Sequence, residues 1–244
     1  SIFKVFTVAA ALETTKITPE TTFFCHNGAY TIAGRTIREA KGGYGVLSVE
    51  DILAKSSNIG SIKIAQHMGS KNLHDYLMKF GFNQPTGVDL PGESSGLVFR
   101  LNRWQPTSIG SVPMGHEVLL TSVQLARACS AIANNGLLVK PRMTMDRPAN
   151  GQSIQMVSYH KDNEQPVRIL KPETAITVRK MMESVVLRGT GRNIRMEGYT
   201  FGGKTGTAQM FDKVTRRYTR RYNASFMGFA PLTNPAVVIV VTLN

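Results

Sequence analysis

Three short clusters in this 244-residue chain combine residue types that can do nucleophilic chemistry. The first is Ser1-Ile2-Phe3-Lys4 at the start of an apolar helical pattern. Residues i and i+3 share a helix face, so an amine at Lys4 can reach a hydroxyl at Ser1. A helix N-terminus also favours the oxyanion of an attacked carbonyl. The second is Ser56-Ser57-Asn58, a hydroxyl and an amide two residues apart, where a turn between two helices can aim both into one cleft. The third is Lys204-Thr205-Gly206-Thr207 near the start of a strand-like stretch. There an ammonium and two threonine hydroxyls form a carboxylate-binding edge, and Gly206 allows a ligand or another backbone to approach.

Each cluster alone is weak. About one S-x-x-K is expected by chance in a chain of this length. Ser158-Tyr159-His160-Lys161 is a second instance, and Ser70-Lys71-Asn72 repeats the S-x-N pattern in what reads as a simple helix cap. The alternative for Ser56-Ser57-Asn58 is likewise local capping. The order S-x-x-K, S-x-N, K-T-G along one chain is what carries information.

The elements that must position these clusters follow from periodicity. Apolar residues at Ile2, Val5, Phe6, Ala9 and Leu12 predict an opening helix. Residues 14–46 are rich in loop signals, including the Gly42-Gly43-Tyr44-Gly45 run. Ser48-Val49-Glu50-Asp51 predicts a capping box, with Asp in place of the usual Glu or Gln. Helices are expected through DILAK, through IGSIKIAQHMG and from Asn72 to Phe80, and 87–104 is turn-rich. Thr121 or Ser122 caps a helix that Asn135-Gly136 closes, and Pro172 opens another. Residues 141–168 read as an irregular connection. The last quarter switches period: FGGKTGTAQM, NASFMGFA and AVVIVVTLN predict three strands. The expected fold class is α+β, an antiparallel sheet flanked by helices.

Composition narrows the function classes. With 42% hydrophobic and 18% charged residues, the chain is neither disordered nor low in complexity. The longest apolar run, Ala236 to Leu243, falls far short of the ~20 residues of a membrane span. A net charge of +13 favours anionic surroundings such as nucleic acid, anionic lipid or bacterial wall polymer. Nucleic acid is disfavoured, because neither aromatic-plus-basic modules nor zinc-finger spacings occur. The basic stretch from Lys213 to Arg221 reads as a solvated hairpin, with a wall-polymer surface as the alternative. Cys25 and Cys129 make no disulfide framework, and Cys129 reads as a small buried thiol. Neither a metal site nor a cofactor is expected, since His116-Glu117 begins an H-E-x-x-H that lacks its second histidine.

With these motifs in order, residues 1–244 resemble the transpeptidase domain of a class B, monofunctional penicillin-binding protein. KSSNIG, GFNQPTGVDLPGESSGL, TSVQLARACSAIANNG, GTGRN and SFMGFAP resemble segments of that family. The resemblance implies its fold, an all-helical subdomain beside the sheet, shared with serine β-lactamases. It implies a peptidoglycan D,D-transpeptidase whose stem-peptide substrate acylates Ser1 with release of D-alanine, and which β-lactams inhibit covalently. Lys4 is implied as the base and Ser56 as the proton relay to the leaving amine. Asn58 would hold the substrate amide, and Lys204, Thr205, Gly206 and Thr207 the carboxylate end. The backbone N–H groups of Ser1 and Thr207 would form the oxyanion hole. The SSN form resembles the septal, division-type branch, with division or wall-synthesis complex partners and a place on the outer face of the cell membrane.

Family members carry an upstream lead-in, pedestal and anchor, and continue into a C-terminal helix, so a chain beginning at Ser1 and ending at Asn244 resembles a part cut at both ends. A weakened site is expected of that part alone, and acylation as fast as in an upstream-extended version would contradict this. Three rivals remain. An N-terminal-nucleophile hydrolase would use the α-amine of Ser1 and leave Lys4, Ser56 and Lys204 as coincidences. A serine β-lactamase-type hydrolase needs a deacylating carboxylate, for which Glu117 is the nearest look-alike. A catalytically weak wall-synthesis scaffold is the third. An α/β-hydrolase is set aside, because Gly92-Glu93-Ser94-Ser95-Gly96 lacks the strand before and the helix after that its G-x-S-x-G motif requires.

Overall fold

A computed structural model describes residues 1–143, 165–212 and 217–243. Its helices are α1 (Lys4–Thr14), α2 (Val49–Lys55), α3 (Asn58–Met68), α4 (Ser70–Lys79), α5 (Ser122–Ala133) and α6 (Pro172–Leu187). Its strands are β1 (Thr22–Phe24), β2 (Ala29–Ile32), β3 (Arg35–Arg38), β4 (Val46–Ser48), β5 (Leu97–Val98), β6 (Val118–Leu119), β7 (Leu137–Leu138), β8 (Val167–Arg168), β9 (Gly202–Asp212), β10 (Arg217–Ala230) and β11 (Val237–Leu243).

The main sheet is antiparallel with order β11-β10-β9, as the period switch in the last quarter predicts. Among the described residues β9 is therefore an edge strand. Met227 and Phe229 of β10 point from one face into the common core, against which Val238 and Val240 of β11 also pack. α5 lies on β10 and β11, and α6 on β9. α1 runs through the middle and touches α2, α3, α4 and α6. It is buried all round from Lys4 to Ala11, which explains why its sequence is apolar on every side rather than on one stripe.

Four phenylalanines pin the start of α1. Phe6 meets Phe80 and Phe82 with ring centroids 5.0 and 5.2 Å apart, and Phe3 meets Phe82 at 5.8 Å. These are edge-on and tilted arrangements of the kind aromatic quadrupoles favour. Phe80 and Phe82 come from the end of α4, which Gly81 closes with φ +81°.

The caps agree with the sequence in part. Thr121 and Gln124 form a reciprocal capping box on α5, so Thr121 rather than Ser122 is its cap. Gly136 follows with φ +87°, and a Cβ there would lie 2.1 Å from the carbonyl oxygen of Leu170. At α2, Ser48 Oγ accepts from the Asp51 backbone, while the Asp51 carboxylate turns to Lys55 and Arg188 instead of returning to the cap. One expectation is filled out and one is corrected. Residues 14–46, read as loop-rich, also hold the short strands β1, β2 and β3 and the first residue of β4, with β1 paired to β4 and β2 to β3. α4 begins at Ser70, two residues ahead of the expected start.

Within the expected connection 141–168, Val167–Arg168 pairs with Leu137–Leu138, and residues 144–164 lie outside the described residues. The second S-x-x-K, Ser158 to Lys161, falls there. So do Lys213 and Arg216 of the basic stretch, whereas the backbone of Arg217, Arg220 and Arg221 belongs to β10.

Candidate active site

The three motifs, up to 203 positions apart in sequence, meet at one hydroxyl. Ser56 ends α2 in the left-handed region, with φ +59° and ψ +40°. That conformation is costly for a residue with a Cβ and persists only where surrounding contacts hold it. Here the turn is held on both sides. The Ser56 backbone N–H donates to Leu53, and Ser57 then caps α3, its Oγ accepting from the Gly60 N–H at 2.9 Å. Gly60 is required at this crossing, because a Cβ would lie 2.4 Å from the Ile52 side chain.

The turn presents Ser56 Oγ to three partners. Ser1 Oγ lies 2.7 Å away and is hydrogen-bonded to it. Lys204 Nζ donates to it at 2.9 Å and Lys4 Nζ at 3.3 Å. Lys4 Nζ also donates to the Ser56 carbonyl at 2.5 Å and to Asn58 Oδ1 at 2.8 Å. Lys204 Nζ reaches the Thr205 carbonyl at 3.0 Å. Among the described residues Lys4 makes no hydrogen bond to Ser1 Oγ, so the direct i, i+3 contact read from the sequence is replaced by one through Ser56. The first turn sets this geometry: the Lys4 N–H donates to the Ser1 carbonyl at 3.3 Å, and Phe3 caps the regular helix behind it.

β9 delivers its motif by close approach. A Cβ on Gly206 would lie 3.1 Å from Ile2 Cγ2 and 3.3 Å from the Ile2 nitrogen. Glycine thus lets the free edge of β9 run against the turn that carries Ser1. On another side of that turn sits Gly115, with φ +91°, where a Cβ would be 2.9 Å from Phe3 Cβ. Thr205 Oγ1 donates to Thr190 Oγ1 at 2.7 Å, and Thr207 is exposed.

Burial decides the electrostatics. Lys4 is 1% exposed and Lys204 is fully covered. Burial lowers Lys4 to about 7, opposed by the negative charge of Glu39. Burial first, and the like charge of Lys4 second, push Lys204 well below its ordinary value. A neutral amine beside two hydroxyls can accept a proton, and Ser1 has a path for its proton through Ser56 Oγ.

Ser1, Lys4, Ser56, Asn58 and Lys204 are tied together by hydrogen bonds and Gly206 lies against Ile2, while Thr205 bonds to Thr190 and Thr207 is exposed on the same strand. The Asn58 amide is engaged at both ends, Oδ1 by Lys4 and Nδ2 by the Arg38 carbonyl at 3.0 Å. The sequence missed two contributors. Thr190 belongs to the GTGRN segment, which carried no role of its own. Glu39 carried no signal, because its partners are 18 to 20 residues away. Glu117 does not reach the cluster: its carboxylate accepts from Ser108 Oγ at 2.7 Å. No strand precedes Gly92-Glu93-Ser94-Ser95-Gly96 directly, and β5 rather than a helix follows it. Among the described residues no three His, Cys, Asp or Glu side chains gather as a metal site, and no helix is long and apolar enough to cross a membrane.

Comparison with known proteins bears on this arrangement. Residues 1–244 match the family model described as penicillin binding protein transpeptidase domain. Stage V sporulation protein D of Bacillus subtilis is 34% identical over 247 residues, covering all of this chain and 38% of that protein. A probable peptidoglycan D,D-transpeptidase PenA of Neisseria flavescens is 32% identical, covering all of this chain and 57% of its own length. Among solved structures, the apo transpeptidase domain of penicillin-binding protein 3 from Burkholderia pseudomallei superposes with TM-score 0.87 at 34% identity, over all of this chain and 70% of that one. Penicillin-binding protein 3 of Mycobacterium tuberculosis, complexed with aztreonam, gives TM-score 0.87 at 31% identity, over all of this chain and 55% of that one. The chain thus spans between about two fifths and three fifths of the length of these two curated relatives.

Proposed function

The chain belongs to the penicillin-binding protein transpeptidase family, alongside class B relatives, and from that premise we propose that it carries the acyl-transfer centre of a peptidoglycan D,D-transpeptidase. Ser1 Oγ attacks the carbonyl between the two D-alanines of a stem peptide, and D-alanine leaves with the proton that Ser1 gave up. The amine of a neighbouring stem then attacks the acyl-serine ester, forming the cross-link and returning the proton to Ser1. β-Lactams enter the same cycle and stop at the acyl-enzyme.

The observation that carries this reading is the shared hydroxyl of Ser56, hydrogen-bonded to Ser1 Oγ and reached by both buried lysines. Lys4, which loses its proton at about 7, takes the Ser1 proton through Ser56 when neutral, and Ser56 hands one on to the leaving amine. Lys204, Thr205 and Thr207 line the edge of β9 and bind the terminal carboxylate, with Gly206 keeping that edge close to Ser1. The N–H groups of the Ser1 nitrogen, an α-amine in this chain, and of the Thr207 backbone stabilise the oxyanion. Asn58 holds the substrate amide once its present contacts to Lys4 or Arg38 are exchanged.

Septal wall synthesis is the role we favour, on the Ser56-Ser57-Asn58 form of the second motif. The same reading puts the catalytic domain on the outer face of the cell membrane, with division or wall-synthesis proteins as partners.

The test is release of D-alanine from a stem pentapeptide in the presence of an acceptor amine. Ser1→Ala should abolish release, and Ser56→Ala should lower it by about two to four orders of magnitude, the range of a lost proton-transfer group. Release that persists in Ser1→Ala would overturn the assignment.

A further inference from the structure

Glu39, just after β3, sits against the N-terminus of α3 and makes more contacts to the Ser56-Ser57-Asn58 turn than any catalytic role in the three motifs requires. Its Oε1 accepts from Ser57 Oγ at 2.5 Å and from the Ile59 N–H at 3.1 Å, and its Oε2 accepts from the Asn58 N–H at 2.7 Å. The preceding residue adds a fourth tie, the Arg38 carbonyl accepting from Asn58 Nδ2. Ser57 is fully buried, so its hydroxyl cannot turn to water if the carboxylate goes. The N–H groups that Glu39 takes are the unpaired donors of a helix start, where a negative charge is favoured.

We propose that Glu39 is a positioning residue for acyl transfer, a carboxylate that clamps the Ser56-Ser57-Asn58 turn so that Ser56 Oγ faces Ser1 and Asn58 Oδ1 faces Lys4. This rests on the acyl-transfer reading above. The strained backbone of Ser56 needs such a clamp, because nothing in its own sequence favours a left-handed conformation. All four contacts fall on the residues that follow it, Ser57, Asn58 and Ile59, and so fix the C-terminal side of the strained residue. Glu39 also sets the electrostatic setting of Lys4: it opposes the lowering caused by burial. The other ionisable groups facing Lys4 are the Ser1 α-amine, Lys204 from β9 and His116 from the loop after Met114. Glu39 is thus the carboxylate among them, and its removal lowers Lys4 further.

Glu39→Gln tests the clamp. The amide keeps the shape but presents a donor to one of three donors, so one contact must break. Acylation of Ser1 by a fluorescent penicillin should slow about 10- to 100-fold, and the acid limb of its pH profile should move to lower pH. A merely structural change would lower the melting temperature without moving the limb. Glu39→Asp, which keeps the charge but shortens the reach, should slow acylation while leaving the limb in place. Acylation at the parental rate with an unmoved limb in Glu39→Gln would overturn the proposal. Should that variant fail to fold, Glu39→Asp decides alone: a slowed rate at an unmoved limb supports the clamp, and a parental rate overturns it. The parental protein separates the two levels of the argument. If it is not acylated at Ser1, the acyl-transfer reading fails and the Glu39 proposal with it. If it is acylated and the variants match it, only the Glu39 proposal fails.

Discussion

At the scale of single residues, Lys4 links chemistry to stability. An amine with an ordinary value of 10.5 held at about 7 by burial costs the fold on the order of 5 kcal/mol wherever it must be protonated. The sign follows from proton counting. Below about pH 7 folded and unfolded chains both hold the proton, and the folded chain bears the full cost. Between about 7 and 10.5 the unfolded chain holds it and the folded chain does not, so stability rises with pH across that window. Lys4→Met removes this titration. Its melting temperature relative to the parent should therefore improve progressively as pH falls from about 10 to about 7 and level off below, whatever constant offset the lost hydrogen bonds impose. Thermal melts of both proteins across that range check this, and a pH-independent difference would contradict it. The same lysine should give acylation by benzylpenicillin an acid limb near pH 7.

At the scale of elements, the site is a matter of how closely three backbones approach. The first turn before α1, the α2–α3 turn and the free edge of β9 must meet within hydrogen-bonding distance of one hydroxyl, and glycines set two of those approaches. Gly206→Val should show this directly. Its side chain would press on Ile2, and relief by moving β9 away from Ser1 should slow acylation at least about tenfold, with a stability loss of roughly 1–3 kcal/mol, the usual cost of overpacking. Parental acylation in a folded Gly206→Val would show that β9 need not lie so close.

Legibility in the sequence also sorts by element. The S-x-x-K, S-x-N and K-T-G clusters were readable because each is local and sits at an element boundary marked by apolar periodicity or a cap. β1 to β4 were not, because strands of three or four residues carry too few positions to show a period of two. Glu39 and Thr190 were not, because their roles exist only once distant segments touch. The relay through Ser56 was hidden for the same reason: spacing puts Ser1 and Lys4 on one helix face, but only the left-handed turn at Ser56 places a third hydroxyl between them.

At the scale of the whole molecule, net charge decides how ligands arrive. A chain with +13 formal charges attracts anions, and both a stem peptide's terminal carboxylate and a β-lactam's carboxylate are anionic. The second-order rate of acylation by benzylpenicillin should fall as ionic strength rises from about 0.02 to about 0.3 M, because the Debye length shrinks from roughly 20 Å to about 6 Å over that range. A rate that is flat with added salt would show that the charge is spent elsewhere on the surface and does not steer ligands to the cleft.

The central claim is that Ser1 is the nucleophile of an acyl-serine enzyme. Intact-mass spectrometry after incubation with benzylpenicillin, followed by peptide mapping, tests it most directly. One penicilloyl group on the peptide containing Ser1, absent from Ser1→Ala and long-lived against hydrolysis, is the expected result. An adduct mapped to any other residue, or rapid turnover of the penicillin with no adduct retained, would contradict the account.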